Sequence, residues 1–117
     1  MAALEGTVDV HEEMKGDVCI FKIKGRLDAI SSPQAEKKVF DSINNGHYKL
    51  ILDFAGVDYL SSAGMRMLLS TSKKLKGLSG RVIVCNITTN VMDVLKMSGF
   101  DHVLELARTE EEAIKKF

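Results

Sequence analysis

The sequence predicts an α/β domain built on a mixed sheet, with an N-terminal antiparallel hairpin followed by β-α crossovers, about five strands and four helices in all. Two observations carry this. The first stretch alternates polar and apolar residues and turns back on itself at a glycine. After it, short apolar runs alternate with segments of helical spacing, each opened by a hydroxyl residue and all but the last closed by glycine or asparagine.

Thr7-Val8-Asp9-Val10-His11 has the period of a half-buried edge strand, and Met14-Lys15-Gly16-Asp17 supplies a turn into the more apolar Val18-Cys19-Ile20-Phe21-Lys22-Ile23. Gly25-Arg26-Leu27-Asp28 leaves that strand. Ser32 is placed to cap the first helix, with Pro33 at its first position, where a missing N–H costs nothing. Ala35, Val39 and Ile43 fall on its inner face, and Asn44-Asn45-Gly46 ends it. The next strand is Tyr48 to Asp53, and Phe54 to Leu60 leads from it toward a pair of serines. From Ser62 to about Lys76 the spacing is helical, with Met65, Leu68, Leu69 and Leu75 on one face, lysines toward the C-terminal end and Gly77 as a stop. Arg81 to Cys85 reads as a buried strand, and Thr88 or Thr89 caps a helix carrying Val91, Val94 and Leu95 that Gly99 terminates. Val103 to Leu106 is a short last strand. Thr109-Glu110-Glu111-Glu112 has the form of a capping box, and Lys115-Lys116 closes the final helix.

The 117 residues, 45% of them hydrophobic, suffice for a single domain spanning 1–117 with one core. Sixteen basic and 16 acidic residues cancel, so no global field draws the chain to nucleic acid or to an anionic membrane. No apolar run approaches the ~20 residues that span a bilayer. Glu5 and Asp9 do not suit a signal peptide, and a cytoplasmic location is expected. Cys19 and Cys85 lie in apolar stretches without a neighbouring Cys or His at metal-ligand spacing, and read as buried free thiols.

No glycine-rich dinucleotide motif and no phosphate loop is present, so no cofactor is expected. Glu12-Glu13 sits at a strand end and Glu110-Glu111-Glu112 at a helix start, where solvation and the helix dipole account for them better than a catalytic carboxylate pair. What remains is Tyr59-Leu60-Ser61-Ser62-Ala63-Gly64-Met65, two hydroxyls and two small residues before an amphipathic helix. Alone, Ser-Ser-Ala-Gly is what any capped helix entrance needs. A phosphate on a serine there would meet exposed N–H groups and the positive end of the dipole, and would be tolerated without melting the domain.

Taken together, Gly25-Arg26-Leu27-Asp28, then Leu52-Asp53-Phe54-Ala55-Gly56-Val57-Asp58-Tyr59-Leu60-Ser61-Ser62-Ala63-Gly64-Met65, then Met97-Ser98-Gly99-Phe100 resemble the STAS family over roughly residues 7–115. The resemblance is to the free-standing bacterial anti-sigma factor antagonists. It implies a binding module and not an enzyme. The unphosphorylated form would bind an anti-sigma factor of the GHKL serine-kinase type and release its sigma factor. That kinase would phosphorylate the antagonist, and a PP2C-like phosphatase would reverse the step. The family register puts the phosphoacceptor on Ser62, the motif glycine on Gly64 and the acidic residue beside the acceptor on Asp28. Ser61 stands where many members have aspartate, and is a competing hydroxyl. Asp28, Ser61, Ser62, Met65 and Arg66 are the expected partner surface, and charge reversal at Asp28 is expected to weaken binding with little change in thermal midpoint. The alternatives are a STAS partner-switching module with an output other than a sigma factor, and a small-ligand-binding or enzymatic α/β domain.

Overall fold

The structure is a computed structural model that describes residues 8–117. Strand β1 (Val8–Lys15) and strand β2 (Val18–Leu27) form the antiparallel hairpin, with Gly16 at φ +64° in the turn. Thr7, expected to open the first strand, lies outside the described residues. Glu12 and Glu13, expected at a strand end, lie within β1, where Glu13 pairs with Lys22 at 3.3 Å.

Helix α1 (Ser31–Asn44), strand β3 (Lys49–Leu60), helix α2 (Ser62–Gly77), strand β4 (Arg81–Cys85), helix α3 (Thr89–Ser98), strand β5 (Glu105–Leu106) and helix α4 (Glu110–Lys115) follow in order. A 3-10 turn, Phe100–His102, precedes the last strand, and Val103 and Leu104, expected to open that strand, continue the turn, leaving β5 only its final pair of residues. The sheet order is β1-β2-β3-β4-β5, with β2 to β5 mutually parallel and joined by crossover connections.

β2 and β3 are longer than their apolar runs suggest, and this positions the site. Gly25-Arg26-Leu27 stays in the sheet, and Phe54 to Leu60 is strand and not a connecting segment. The two strands remain paired to Leu27↔Leu60 by shifting register between Lys22 and Lys24 and again between Gly25 and Arg26, where Gly25 takes φ +119°. Phe54, Val57 and Leu60 bury their side chains in the process. Both strands thereby end at the same edge of the sheet.

One face of the sheet carries the main core, in which Phe21, Leu27, Ala35, Val39, Leu52, Leu68, Leu75, Val91 and Leu95 pack together under α1, α2 and α3. The other face is smaller: Val18, Ile20, Ile51, Ile83 and Cys85 pack with Ala113 of α4. Cys19 and Cys85 are both free and buried. Among the described residues no helix is long and apolar enough to cross a membrane.

The buried stripe of α2 is rotated from the one expected. Gly64, Met67, Leu68, Thr71 and Leu75 face inward, whereas Met65 and Leu69 are half-buried at its margin. The rotation follows from Gly64, the only residue type that fits against the ends of β2 and β3. A Cβ there would lie 2.5 Å from Leu60 Cδ1 and 3.1 Å from both Cβ and the carbonyl oxygen of Leu27. Thr71 is accommodated in the core because its hydroxyl donates to the Met67 carbonyl at 2.9 Å within the same helix.

Capping also differs at two helices. Ser32 does not cap α1. The carboxylate of Asp28 accepts the N–H groups of Ile30 and Ser31, each at 2.9 Å, and the Ser31 hydroxyl accepts the Asp28 N–H at 3.0 Å while donating to the Arg26 carbonyl. Thr88 stands at the N-cap of α3, but its hydroxyl donates to the Val57 carbonyl at 3.0 Å and not to the helix. At α4 the expected cap forms, with Thr109 Oγ1 accepting from the Glu112 N–H at 3.1 Å.

Candidate functional site

The candidate site is the entrance of α2, where the chain leaves β3. Ser61 is the N-cap, extended at φ −88° and ψ 175°, and its hydroxyl accepts the Gly64 N–H at 3.3 Å. The same hydroxyl donates to the Leu27 carbonyl at 2.8 Å, and the Ser61 backbone N–H donates to that carbonyl at 2.9 Å. One acceptor at the end of β2 thus holds the cap of α2 twice. Ser61 is half-buried, with its proton and one lone pair both committed.

Ser62 is the first residue of α2 and is exposed. Its hydroxyl makes no hydrogen bond among the described residues. Of the N–H groups that a helix start leaves over, those of Ser61 and Gly64 are satisfied, and those of Ser62 and Ala63 have no acceptor among the described residues. No acidic side chain occupies the first turn. The entrance is therefore a positive helix end with an unengaged nucleophilic hydroxyl on it.

The five residues expected to form a surface divide into two kinds. Ser62 and Arg66 are exposed, one helical turn apart; Met65 is half-buried, and its sulfur receives the Ser98 hydroxyl at 3.5 Å. Asp28 follows Leu27, whose carbonyl holds Ser61, so it is carried to the same end of the sheet. It is only 8% exposed and its carboxylate holds the start of α1. The expectation that charge reversal at Asp28 would spare the fold is corrected by this geometry: a lysine there would remove the cap and bury a cation.

Between α1 and α2 runs an open groove of about 560 Å³, with Ser32, Glu36 and Phe40 on one wall and Ala63, Arg66 and Ser70 on the other. On the far side of α2, Ser98 brings α3 against Met65, and Met97 beside it is 89% exposed. The Met97-Ser98-Gly99-Phe100 motif, for which the sequence alone indicates no place at the site, thus lies beside it. Among the described residues no cluster of His, Cys, Asp and Glu could hold a metal ion.

The model of the STAS domain matches residues 9–113, and the chain belongs to that family. Among its relatives, BtrV of Bordetella bronchiseptica is 28% identical over 95 residues, covering 81% of this chain and 82% of that one. The anti-sigma F factor antagonist of Lysinibacillus sphaericus is 24% identical over 106 residues, 90% of each chain. Of the solved structures, the anti-sigma factor antagonist SpoIIAA in its unphosphorylated form superposes with a TM-score of 0.78 at 27% identity, over 92% of this chain and 95% of that one. The phosphorylated form of the Bacillus cell fate determinant SpoIIAA gives a TM-score of 0.70 at 26% identity, over 92% and 98%.

Proposed function

We propose that this protein is an anti-sigma factor antagonist controlled by phosphorylation of Ser62. The observation that carries the reading is the division of labour between adjacent serines: Ser61 spends its hydroxyl on the helix cap, and Ser62 presents an exposed, unengaged one at the positive end of α2. The relatives named for antagonism of an anti-sigma factor, and the existence of SpoIIAA in a phosphorylated form, support it.

In this reading the unmodified form binds an anti-sigma factor of the GHKL kinase type through Ser62, Met65 and Arg66, with Asp28 and Ser61 holding the surface in shape. The kinase holds the nucleoside triphosphate. Ser62 Oγ attacks the γ-phosphorus, an O–P bond forms as the bond to the diphosphate breaks, and the hydroxyl proton leaves to a base of the kinase or to water. A PP2C-like phosphatase returns the hydroxyl by hydrolysis. The phosphoserine brings about −1.5 to −2 charges and new bulk into a packed contact. A penalty of about 3 kcal/mol weakens binding roughly a hundredfold.

The test is intact-mass measurement after incubation with the anti-sigma partner captured from the native cell and ATP. Wild type and Ser61→Ala are expected to gain one phosphate, and Ser62→Ala none. A phosphate mapped to Ser61 would overturn the assignment.

A further inference from the structure

We propose that Arg66 is an intramolecular clamp for the phosphate on Ser62, so that modification withdraws a cation from the partner surface as well as adding an anion to it. The inference rests on Ser62 being the acceptor. The chain has four arginines. Arg26 stacks on the Tyr59 ring at 4.1 Å, Arg81 binds both carboxylate oxygens of Glu105 at 2.6 Å, and Arg108 pairs with Glu112 at 3.3 Å. Arg66 alone has no ion pair, ring or hydrogen bond among the described residues, although it is exposed and one turn inside a positive helix end that carries no acid in its first turn. A cation there is disfavoured by the dipole unless an anion joins it.

Ser62 and Arg66 are four residues apart in α2, on one face, with Cβ atoms about 6 Å apart. Helical side chains lean toward the N-terminus, the direction in which Ser62 lies, so a guanidinium now lining the groove against α1 has a phosphate on Ser62 within its reach. A phosphate on Ser62 offers three acceptor oxygens to a planar guanidinium, the pairing that suits arginine best and lysine less well. The charged groups across the groove are Glu36, Lys37 and Asp41 of α1. Asp41 is taken by Lys37 at 3.0 Å, and Glu36 has no ion pair among the described residues. Glu36 is thus the rival anion for Arg66 before modification. A phosphate carrying nearly twice its charge, on the same helix and one turn away, displaces it.

The test places phosphoserine at position 62 during translation, which needs no kinase, and follows the phosphate by phosphorus NMR across pH at low salt. The second phosphate ionisation should lie about half a unit lower in the wild-type background than with Arg66→Gln, with Arg66→Lys between them. About 0.5 M salt should shrink the gap. Glu36→Gln should leave the wild-type value in place. Equal titrations in the wild-type and Arg66→Gln backgrounds overturn the clamp, whatever the kinase does. A kinase that modifies another residue overturns the reading beneath it, a separate failure read by mass mapping of the untagged wild-type protein.

Discussion

The Leu27 carbonyl accepts two hydrogen bonds from Ser61, one from its N–H at 2.9 Å and one from its hydroxyl at 2.8 Å, and so locks the end of β2 to the cap of α2. Removing the hydroxyl loses the bond to Leu27 and the cap on Gly64 together. Ser61→Ala is expected to cost about 1–2 kcal/mol, read as a lower urea midpoint with an unchanged slope. Ser62 should still accept phosphate in that variant, because its own hydroxyl is untouched.

Gly64 is set against Leu60 and Leu27 more closely than any side chain allows. Gly64→Ala gains helix propensity worth about 1 kcal/mol, but the Cβ collides with a packed leucine and with backbone, an overpacking cost of about 1–3 kcal/mol or more. The steric term wins because the Leu27 carbonyl cannot move without releasing Ser61. The variant is expected to melt below wild type and to bind its partner less well. A melting temperature at or above the wild-type value would show that α2 can shift outward freely.

Asp28 separates by chemistry into a capping oxygen and a charge. Asp28→Ala loses both bonds to the start of α1 and is expected to cost about 1–2 kcal/mol, whereas Asp28→Asn keeps an acceptor oxygen and should recover most of that. Chemical denaturation of the two variants checks this. If Asp28→Asn is stable yet binds the partner weakly, the charge contributes to the contact independently of the cap.

Burial pushes the Cys85 thiol up from 9.0 to about 12, with the nearby Asp53 and Glu110 carboxylates adding to it. The raised value disfavours the thiolate in the folded state. Above pH 9 the unfolded chain has lost this proton and the folded chain keeps it, so the group's contribution to stability falls as pH rises from about 9 toward 12. Alkylation of Cys85 at pH 8 should follow global unfolding and not the free thiol's rate. Labelling measured across a urea series checks it, since rapid modification in the absence of urea would contradict a buried thiol.

Much of this architecture was legible because its signals are local. Gly16 and Gly99 adopt φ +64° and +78° where a turn and a helix stop were expected, and Thr109 caps α4 as its spacing to Glu112 implied. The misreadings are tertiary. Phe54 to Leu60 looks like a connection until β2 lies beside it with a shifted register, and neither strand alone encodes that shift. Ser32-Pro33 carries a capping signature, yet the Asp28 carboxylate, just past the end of the extended β2, reaches the Ile30 and Ser31 N–H groups first, and Ser31 in turn holds the Asp28 N–H. At the site, the family register singles out Ser62, but only the position of the Leu27 carbonyl shows that the fold engages the Ser61 hydroxyl.

That distinction gives the sharpest expectation for binding. Ser62→Asp places a carboxylate at the first position of α2, where the dipole favours it by about 0.3–1 kcal/mol, so the variant should fold with a thermal midpoint at or slightly above wild type. It should nonetheless lose the anti-sigma partner, because the carboxylate stands in for part of the phosphate charge at the surface the partner must cover. Ser62→Ala should bind as the unmodified protein does and resist release when ATP is added. Affinity measured by calorimetry alongside the thermal midpoint separates the two effects. A Ser62→Asp variant that folds and binds like wild type would place the controlling charge elsewhere on the domain, even with its membership of the STAS family intact.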